Sequence, residues 1–170
     1  MPKPQVDPRF FAFRNAVYSD LKTAGEMLAS DPGLLRVRNG IGETVMHFLV
    51  VENGLETVAW LIGKGAEVDT KNEFGQTPLM EAASLGLIEM CRLLIAHGAN
   101  FRYLNSREES VFSAAAESDQ AEALEYLLGL LLPGENINPF FSNVDAEMAL
   151  SRSPKSAALL TPRGLTRRWP

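Results

Sequence analysis

The two histidines and the one cysteine are the side chains in this sequence best suited to general base, metal-binding or nucleophilic chemistry. His47 and His97 stand far apart, and neither a metal-ligand spacing nor a serine, histidine and aspartate arrangement accompanies them. Cys91 lies beside Met90 and Leu93 without an adjacent base, which favours a small buried hydrophobe over a nucleophile. The sequence therefore predicts no catalytic residue, no metal, no cofactor and no enzymatic activity.

A glycine-flanked lysine is the remaining candidate for ligand chemistry. Gly63-Lys64-Gly65 follows a predicted helix instead of joining a strand to a helix, so a phosphate-binding loop is not supported. The single cysteine excludes both an intramolecular disulfide and a cysteine-rich zinc site. The sequence therefore predicts neither a phosphate-binding loop, nor a disulfide within the chain, nor a cysteine-rich zinc site.

Charge is divided unevenly along the chain, whose formal net charge is −5. Residues 1–150 hold 21 acids and 11 bases, whereas residues 151–170 hold five bases and no acid. An acidic body disfavours binding to nucleic acid, because contact with phosphates requires clustered lysine and arginine. The amino-terminal segment has no secretory apolar region, and the apolar stretch at 127–132 is too short to span a bilayer. We expect a cytoplasmic protein that binds neither nucleic acid nor membrane.

A repeat with a period of 33 residues organises the sequence. The segments TVMHFLV, TPLMEAA and SVFSAAA begin at Thr44, Thr77 and Ser110, one period apart. Buried-type leucines keep the same spacing at Leu28, Leu61, Leu94 and Leu127. Several positions that agree on one period indicate a repeat architecture.

Each repeat is predicted to contain two helices. Thr77 followed by Pro78 places a capping hydroxyl before a proline at the first helical position, where the missing amide hydrogen costs nothing. A second helix is expected from Ile88 to Ala96, ended by His97-Gly98. One such pair cannot bury its apolar face alone, so the pairs are expected to stack.

The stretch FGQTPLMEAASLGLIEMCRLLIAHGAN, from Phe74 to Asn100, closely resembles the ankyrin repeat. This resemblance implies an all-α ankyrin-repeat solenoid of stacked helix-turn-helix units with hairpin loops. Residues 1–160 are expected to form a single domain, followed by a basic tail at 161–170. Its parts are an amino-terminal cap at 9–37, repeats at 38–70, 71–103 and 104–132, and a degenerate carboxy-terminal cap at 133–160. Glu108 stands where the turn glycine belongs, which leaves the hairpin geometry there open.

The resemblance also implies structural roles for the residues that open the first helices. His47 occupies the histidine position of the family motif, where a buried imidazole can hydrogen-bond the adjoining loops. Thr44, Thr77 and Pro78 occupy the capping and first helical positions. These residues are expected to hold repeats together and not to perform chemistry.

Partners of proteins that resemble this one lie against the hairpin tips and the exposed side of each first helix, on the concave face. The corresponding positions here are Tyr18, Ile41, Glu43, Val51, Glu52, Glu73, Phe74, Gln76, Ser84, Leu85, Arg107, Glu109 and Glu117. Glutamates interspersed with apolar side chains favour a partner with a basic surface patch. In the alternative interpretation, Ile41 and Phe74 only pack against neighbouring hairpins.

Three functional classes follow. The leading one is a protein-binding scaffold, and GETVMHFLVVENGLETVAWLIGKGAEV resembles bacterial ankyrin immunity proteins that neutralise secreted toxins. The alternatives are a regulatory subunit or adaptor scaffold for a cellular enzyme, and an enzyme whose site forms between repeats. Self-association is a further option, in which Arg163, Arg167, Arg168 and Trp169 dock on the acidic face of a second copy.

Overall fold

A computed structural model describes residues 6–151 and 153–166 of the chain. Within these ranges the secondary structure is helical, with three short 3-10 segments at Pro32–Arg36, Asn138–Phe140 and Thr161–Arg163. The α-helices are α1 (Arg9–Ser19), α2 (Leu21–Ser30), α3 (Val45–Val51), α4 (Leu55–Gly63), α5 (Pro78–Ser84), α6 (Ile88–Ala96), α7 (Val111–Glu117), α8 (Ala121–Leu128), α9 (Asn143–Ser151) and α10 (Pro154–Leu160). No helix in the described ranges has the length and apolar character needed to cross a bilayer.

The chain forms two compact units, residues 1–78 and residues 79–170. In the first unit, α1 packs against α2 and α3, and α3 packs against α4. The core between these helices is apolar and includes the fully buried side chains of Phe13, Val17, Leu49 and Val58. Asp20 caps α2, because its carboxylate accepts a hydrogen bond from the Lys22 amide at 3.0 Å.

The second unit continues the pairing of helices. Here α7 packs against α8 and α9, while α8 also packs against α6 and α10. Phe112 on α7 is fully buried, with its ring centroid 4.8 Å from that of Phe140 and 6.4 Å from that of Phe101. The aromatic group fills the space between α7 and the segment that precedes α9.

The expected helix boundaries are confirmed in the repeat that best matches the family pattern. Helix α5 begins at Pro78, and α6 runs from Ile88 to Ala96. The chain leaves α6 at His97, and Gly98 adopts a left-handed φ of 89°. Helix α10 opens at Pro154 behind Ser153, whose hydroxyl accepts a hydrogen bond from the Ser156 amide at 3.1 Å. The all-α fold class is therefore confirmed.

Residue 108 keeps the hairpin geometry despite the loss of the turn glycine. Gly42 and Gly75 have φ values of 78° and 74°, and Glu108 adopts the same left-handed conformation at 62°. A side chain with a Cβ is strained in this region by about 1–2 kcal/mol. The repeat pattern therefore imposes the turn on a residue that does not favour it.

Replacing Glu108 with glycine is expected to raise the free energy of unfolding by about 0.5–1 kcal/mol, because relief of the strain exceeds the extra chain entropy of glycine. Urea denaturation measured by circular dichroism tests this expectation. The same substitution at Glu122, in the first turn of α8, is the control and is expected to cost about 1 kcal/mol. If both substitutions destabilised equally, the turn at residue 108 would not be strained.

The carboxy-terminal segment is more ordered than the expected tail. Leu165 is only 3% exposed, and the Thr166 amide donates to Asn138 Oδ1 at 3.3 Å. The Asn138 side-chain amide in turn donates to the Gly164 carbonyl at 2.9 Å. Residues 161–166 therefore pack against the preceding part of the second unit. Arg167, Arg168 and Trp169 lie outside the described residues, so self-association through them stays a prediction.

Candidate protein-binding surfaces

His47 joins the start of α3 to the next hairpin of the first unit. Its imidazole is fully buried, with Nδ1 3.2 Å from the Thr44 amide and Nε2 3.2 Å from the Gln76 carbonyl. Because an amide can only donate, Nδ1 accepts and Nε2 carries the hydrogen donated to Gln76. Burial lowers the pKa of His47 to about 4, and the positive charge of Arg38 adds to this effect. The neutral imidazole is thus the form that fits the fold.

The second unit uses serine for the same purpose. Ser113 stands two repeat periods beyond His47 and forms a capping box with Ser110, whose hydroxyl accepts from the Ser113 amide at 3.0 Å. The Ser110 hydroxyl also donates to the carbonyl of Phe140. Thr77 is buried and directly precedes Pro78 at the first position of α5. Each of these side chains supports the start of a first helix.

A ladder of asparagines shapes the hairpin tips, which sequence reasoning missed. Asn39 Oδ1 accepts the amides of Ile41 and Glu43, both at 3.0 Å. Asn72 and Asn105 accept the amides two and four residues beyond them in the same way. The signal was present in the sequence, since asparagine recurs with the repeat period at residues 39, 72, 105 and 138. The ladder fixes the loops that carry half of the expected partner contacts.

The asparagine ladder also engages three of the expected contact residues. The side-chain amide of Asn39 donates to Glu43 Oε2 at 2.7 Å, and that of Asn105 donates to Glu109 Oε2 at 2.6 Å. Asn72 makes the corresponding bond to Gln76 Oε1 at 3.3 Å. These three side chains are half-buried, so they shape the hairpins as well as facing solvent.

The remaining expected contacts of the first unit are exposed. Tyr18 on α1 is 63% exposed and Val51 at the end of α3 is 49% exposed. At the hairpin tips, Ile41 is 43% exposed and Phe74 is 40% exposed. Glu52 and Glu73 are exposed next to Val51 and Phe74. The first unit therefore brings apolar and acidic side chains together in pairs.

In the second unit, the expected contact residues differ from one another in exposure and in charge. Leu85 is 46% exposed beyond α5, whereas Ser84 is half-buried and donates to the Glu81 carbonyl at 2.9 Å. Arg107 is exposed, with Nη1 3.8 Å from Glu109 Oε1. Burial raises the pKa of Glu117 to about 7, helped by the negative charge of Asp145, by their hydrogen bond and by the charge of Glu109. Glu117 therefore shares its surroundings with two other acids.

An aromatic and arginine cluster on the first unit was not expected from the sequence. The Arg14 guanidinium carbon lies 5.1 Å from the ring centroid of Phe11 and 4.7 Å from that of Phe48. Phe11 is 47% exposed, and Phe48 is half-buried on α3. The signal was weak, because Phe11 and Arg14 share a face of α1 by their spacing but Phe48 belongs to another repeat. We call these three residues the Arg14 sandwich.

Neither Cys91 nor His97 lies in surroundings that suit catalysis or metal binding. Cys91 is fully buried, and burial raises the pKa of its thiol to about 12, so the nucleophilic thiolate is suppressed. His97 is exposed at the end of α6. Across the described ranges, no group of three or more metal-ligating side chains is placed to hold an ion.

A family model described as "Ankyrin repeats (3 copies)" matches residues 25–140. This chain belongs to the ankyrin repeat family. Ankyrin repeats generally mediate protein–protein interaction. The hairpin tips and first helices are accordingly the candidate binding surfaces of this ankyrin chain.

Three relatives show how such segments occur in larger proteins. The chain is 33% identical over 95 residues to the E3 ubiquitin-protein ligase XB3 of Oryza sativa subsp. japonica, covering 55% of this chain and 21% of the relative. It is 28% identical over 127 residues to the B-cell lymphoma 3 protein homolog of Mus musculus, covering 74% and 28%. It is 26% identical over 102 residues to the transient receptor potential cation channel subfamily A member 1 homolog of Caenorhabditis elegans, covering 60% and 8%. The chain thus spans less than a third of each relative, and all three are eukaryotic, which gives no support to the bacterial assignment.

Proposed function

We propose that this ankyrin repeat chain binds a partner protein through the hairpin tips and first helices of its repeats, and that the partner's contact surface is basic. The observation that carries the proposal is the pairing of exposed apolar side chains with neighbouring carboxylates. Val51 precedes Glu52 at the end of α3, and Glu73 precedes Phe74 at a hairpin tip. Apolar anchors beside charged groups are typical of protein interfaces.

The acidic groups are available for a basic partner. Among the described residues, no ion pair within 4.0 Å involves Glu52 or Glu73. In the second unit, a cation brought close to Glu117 by the partner would offset the repulsion from Asp145 and Glu109. Opposite charges on the two proteins would also speed their encounter at low ionic strength.

Two forms of this function remain proposals. In one, the chain is an immunity protein that neutralises a bacterial toxin, which rests on the sequence resemblance from Gly42 to Val68. In the other, it is a regulatory subunit or adaptor scaffold for a cellular enzyme, and relatives in which an ankyrin segment is part of a much longer protein favour this form. The identity of the bound partner separates them, since a secreted toxin supports the first and a cellular enzyme the second.

The test is capture of the partner by the purified chain from its native cell, followed by measurement of the affinity. The triple variant Glu52→Lys, Glu73→Lys, Phe74→Ala is expected to weaken binding roughly 100-fold, because it removes one apolar anchor and opposes a basic surface with two new cations. The control variant Glu26→Lys, Glu56→Lys reverses two exposed charges on α2 and α4 of the same unit and is expected to bind normally. Equal affinity for the triple variant and the wild type would show that these positions do not contact the partner.

A further inference from the structure

The Arg14 sandwich is a cationic site in the first unit, whose charged candidate contacts are otherwise the acids Glu43, Glu52 and Glu73. We propose that it receives a carboxylate that the partner presents between apolar side chains, on a peptide segment that crosses α1 and α3. This inference rests on the proposed function and deepens it, because it names the chemistry of one segment of the partner. The partner as a whole would still be basic where it faces Glu52 and Glu73.

The Arg14 guanidinium lies over two aromatic rings. Its carbon is 5.1 Å from the ring centroid of Phe11 and 4.7 Å from that of Phe48, within the range of cation–π interactions. Arginine presents its donors in the plane of the guanidinium, so contact with aromatic rings is compatible with hydrogen bonding at the edges of the group. The sandwich therefore orients a planar fork of the kind that pairs with a carboxylate through two hydrogen bonds.

Only part of this donor capacity is used within the protein. Arg14 Nε and Nη2 donate to Asn15 Oδ1 at 3.1 and 2.8 Å. A guanidinium has five N–H donors, so others remain for a ligand. Asn15 is a neutral neighbour, which means that these bonds orient the arginine without neutralising its charge.

Arg14 differs in this respect from the arginine nearest to it on α1. Arg9 is neutralised by two carboxylates, with Nη2 2.6 Å from Asp7 Oδ2 and Nη1 2.7 Å from Asp31 Oδ2. Within the described ranges, no carboxylate lies within 4.0 Å of the Arg14 guanidinium nitrogens. The charge of Arg14 thus lacks a partner carboxylate in this unit, and a ligand carboxylate would complement it.

The surroundings favour apolar side chains on both sides of the ligand's carboxylate. Phe11 is 47% exposed at one side of the guanidinium, and Tyr18 on the same helix is 63% exposed. Val51 on α3 is 49% exposed and stands one repeat period beyond Tyr18. Apolar ligand side chains placed on these groups would exclude water from the ion pair and strengthen it. A phosphate could also meet the guanidinium, but it would not make use of the apolar neighbours.

Two fluorescently labelled peptides provide the test: acetyl-Gly-Leu-Phe-Glu-Leu-Phe-Gly-amide and the same peptide with glutamine in place of glutamate. The full chain is expected to bind the glutamate peptide about tenfold more tightly, measured by fluorescence anisotropy at low salt. The Arg14→Gln variant is expected to lose this preference while it keeps the far-ultraviolet circular dichroism and unfolding temperature of the wild type. Arg14→Lys, which keeps the charge but not the planar fork, is expected to retain part of the preference.

The matched control is Arg92→Gln. The Arg92 guanidinium also stacks on an aromatic ring, with its carbon 4.3 Å from the Tyr126 centroid, but its Nε lies 3.6 Å from a Glu89 carboxylate oxygen. This variant is expected to leave the preference for the glutamate peptide unchanged. Equal binding of the two peptides by the wild type, no binding of either, or a preference that survives in Arg14→Gln would each overturn the inference.

The two proposals can fail separately. If the native partner bound normally to the triple variant of Glu52, Glu73 and Phe74 while the glutamate peptide still required Arg14, the proposed surface would fail and the carboxylate site would stand. If the triple variant lost the partner but the peptides were bound equally, only the carboxylate site would fail.

Discussion

Replacing Phe112 with alanine is expected to lower the free energy of unfolding by about 3–5 kcal/mol, the usual loss for a fully buried aromatic side chain. Phe112 is 0% exposed, and its ring packs against those of Phe140 and Phe101, with centroids 4.8 and 6.4 Å away. Truncation would remove the ring's own burial and leave a cavity between α7 and the segment before α9. Urea unfolding followed by circular dichroism measures the change.

The matched control is Phe11→Ala, which removes the same ring from a site that is 47% exposed. Its ring contacts with Phe10 and Arg14 are lost, so a smaller cost of about 1 kcal/mol is expected. Similar losses for the two variants would mean that the second unit does not depend on its aromatic core. A broad, multi-step transition confined to Phe112→Ala would instead place the cavity in a unit that unfolds separately.

The helix starts were predictable because the rules that place them are local. A hydroxyl followed by proline, as at Thr77-Pro78 and Ser153-Pro154, specifies a cap and a first helical residue within two positions. The 33-residue period then carried the assignment from the clearest repeat to the others. Helix-capping rules and the 33-residue period together suffice to predict the fold class.

The hairpin interior was less accessible to such reasoning. The asparagine ladder depends on loop backbone geometry, in which one side-chain oxygen accepts two amides, and hydrophobic periodicity carries no trace of it. Glu108 is a second case in which residue type alone does not predict the loop, since the left-handed turn forms there without its usual glycine. Loop geometry is set by the repeat as a whole and not by the residue type at each position.

Contacts between segments that are distant in the sequence explain the other differences between the sequence-based predictions and the structure. The Arg14 sandwich needs Phe48 from another helix, and residues 161–166 are ordered by Asn138, far back in the chain. A proline-rich, basic sequence resembles a solvated tail when it is considered alone, because the burial of Leu165 depends on the surface that precedes it. The sequence therefore named candidate contact positions, of which Tyr18, Ile41, Val51, Phe74 and Leu85 are exposed, but it gave no indication that Arg14 contacts Phe48.

Lowering the pH from about 7 to 4 is expected to cost the wild-type chain about 3 kcal/mol through His47 alone. Burial lowers the pKa of His47 from 6.5 to about 4, so the unfolded chain takes up a proton that the folded imidazole resists. Stability from this group is fully present above pH 6.5 and is lost progressively as the pH falls towards 4. Protonation would also place a hydrogen on Nδ1, facing the Thr44 amide that it now accepts from.

The measurement is the free energy of unfolding of the wild type and of His47→Gln at pH 7, 5.5 and 4, because the difference between them cancels the other titrating groups. One of those groups opposes the effect: the raised pKa of Glu117 stabilises the folded chain as the pH falls from about 7 towards 4.5. The His47→Gln variant is expected to be less stable than the wild type at pH 7 and to lose most of that deficit at pH 4.

His97→Gln, at an exposed position at the carboxy-terminal end of α6, is the control and should keep the wild-type pH dependence. A constant difference between the wild type and His47→Gln across the three pH values would show that the pKa of His47 is the same in the folded and the unfolded chain, which would contradict the expected effect of burial.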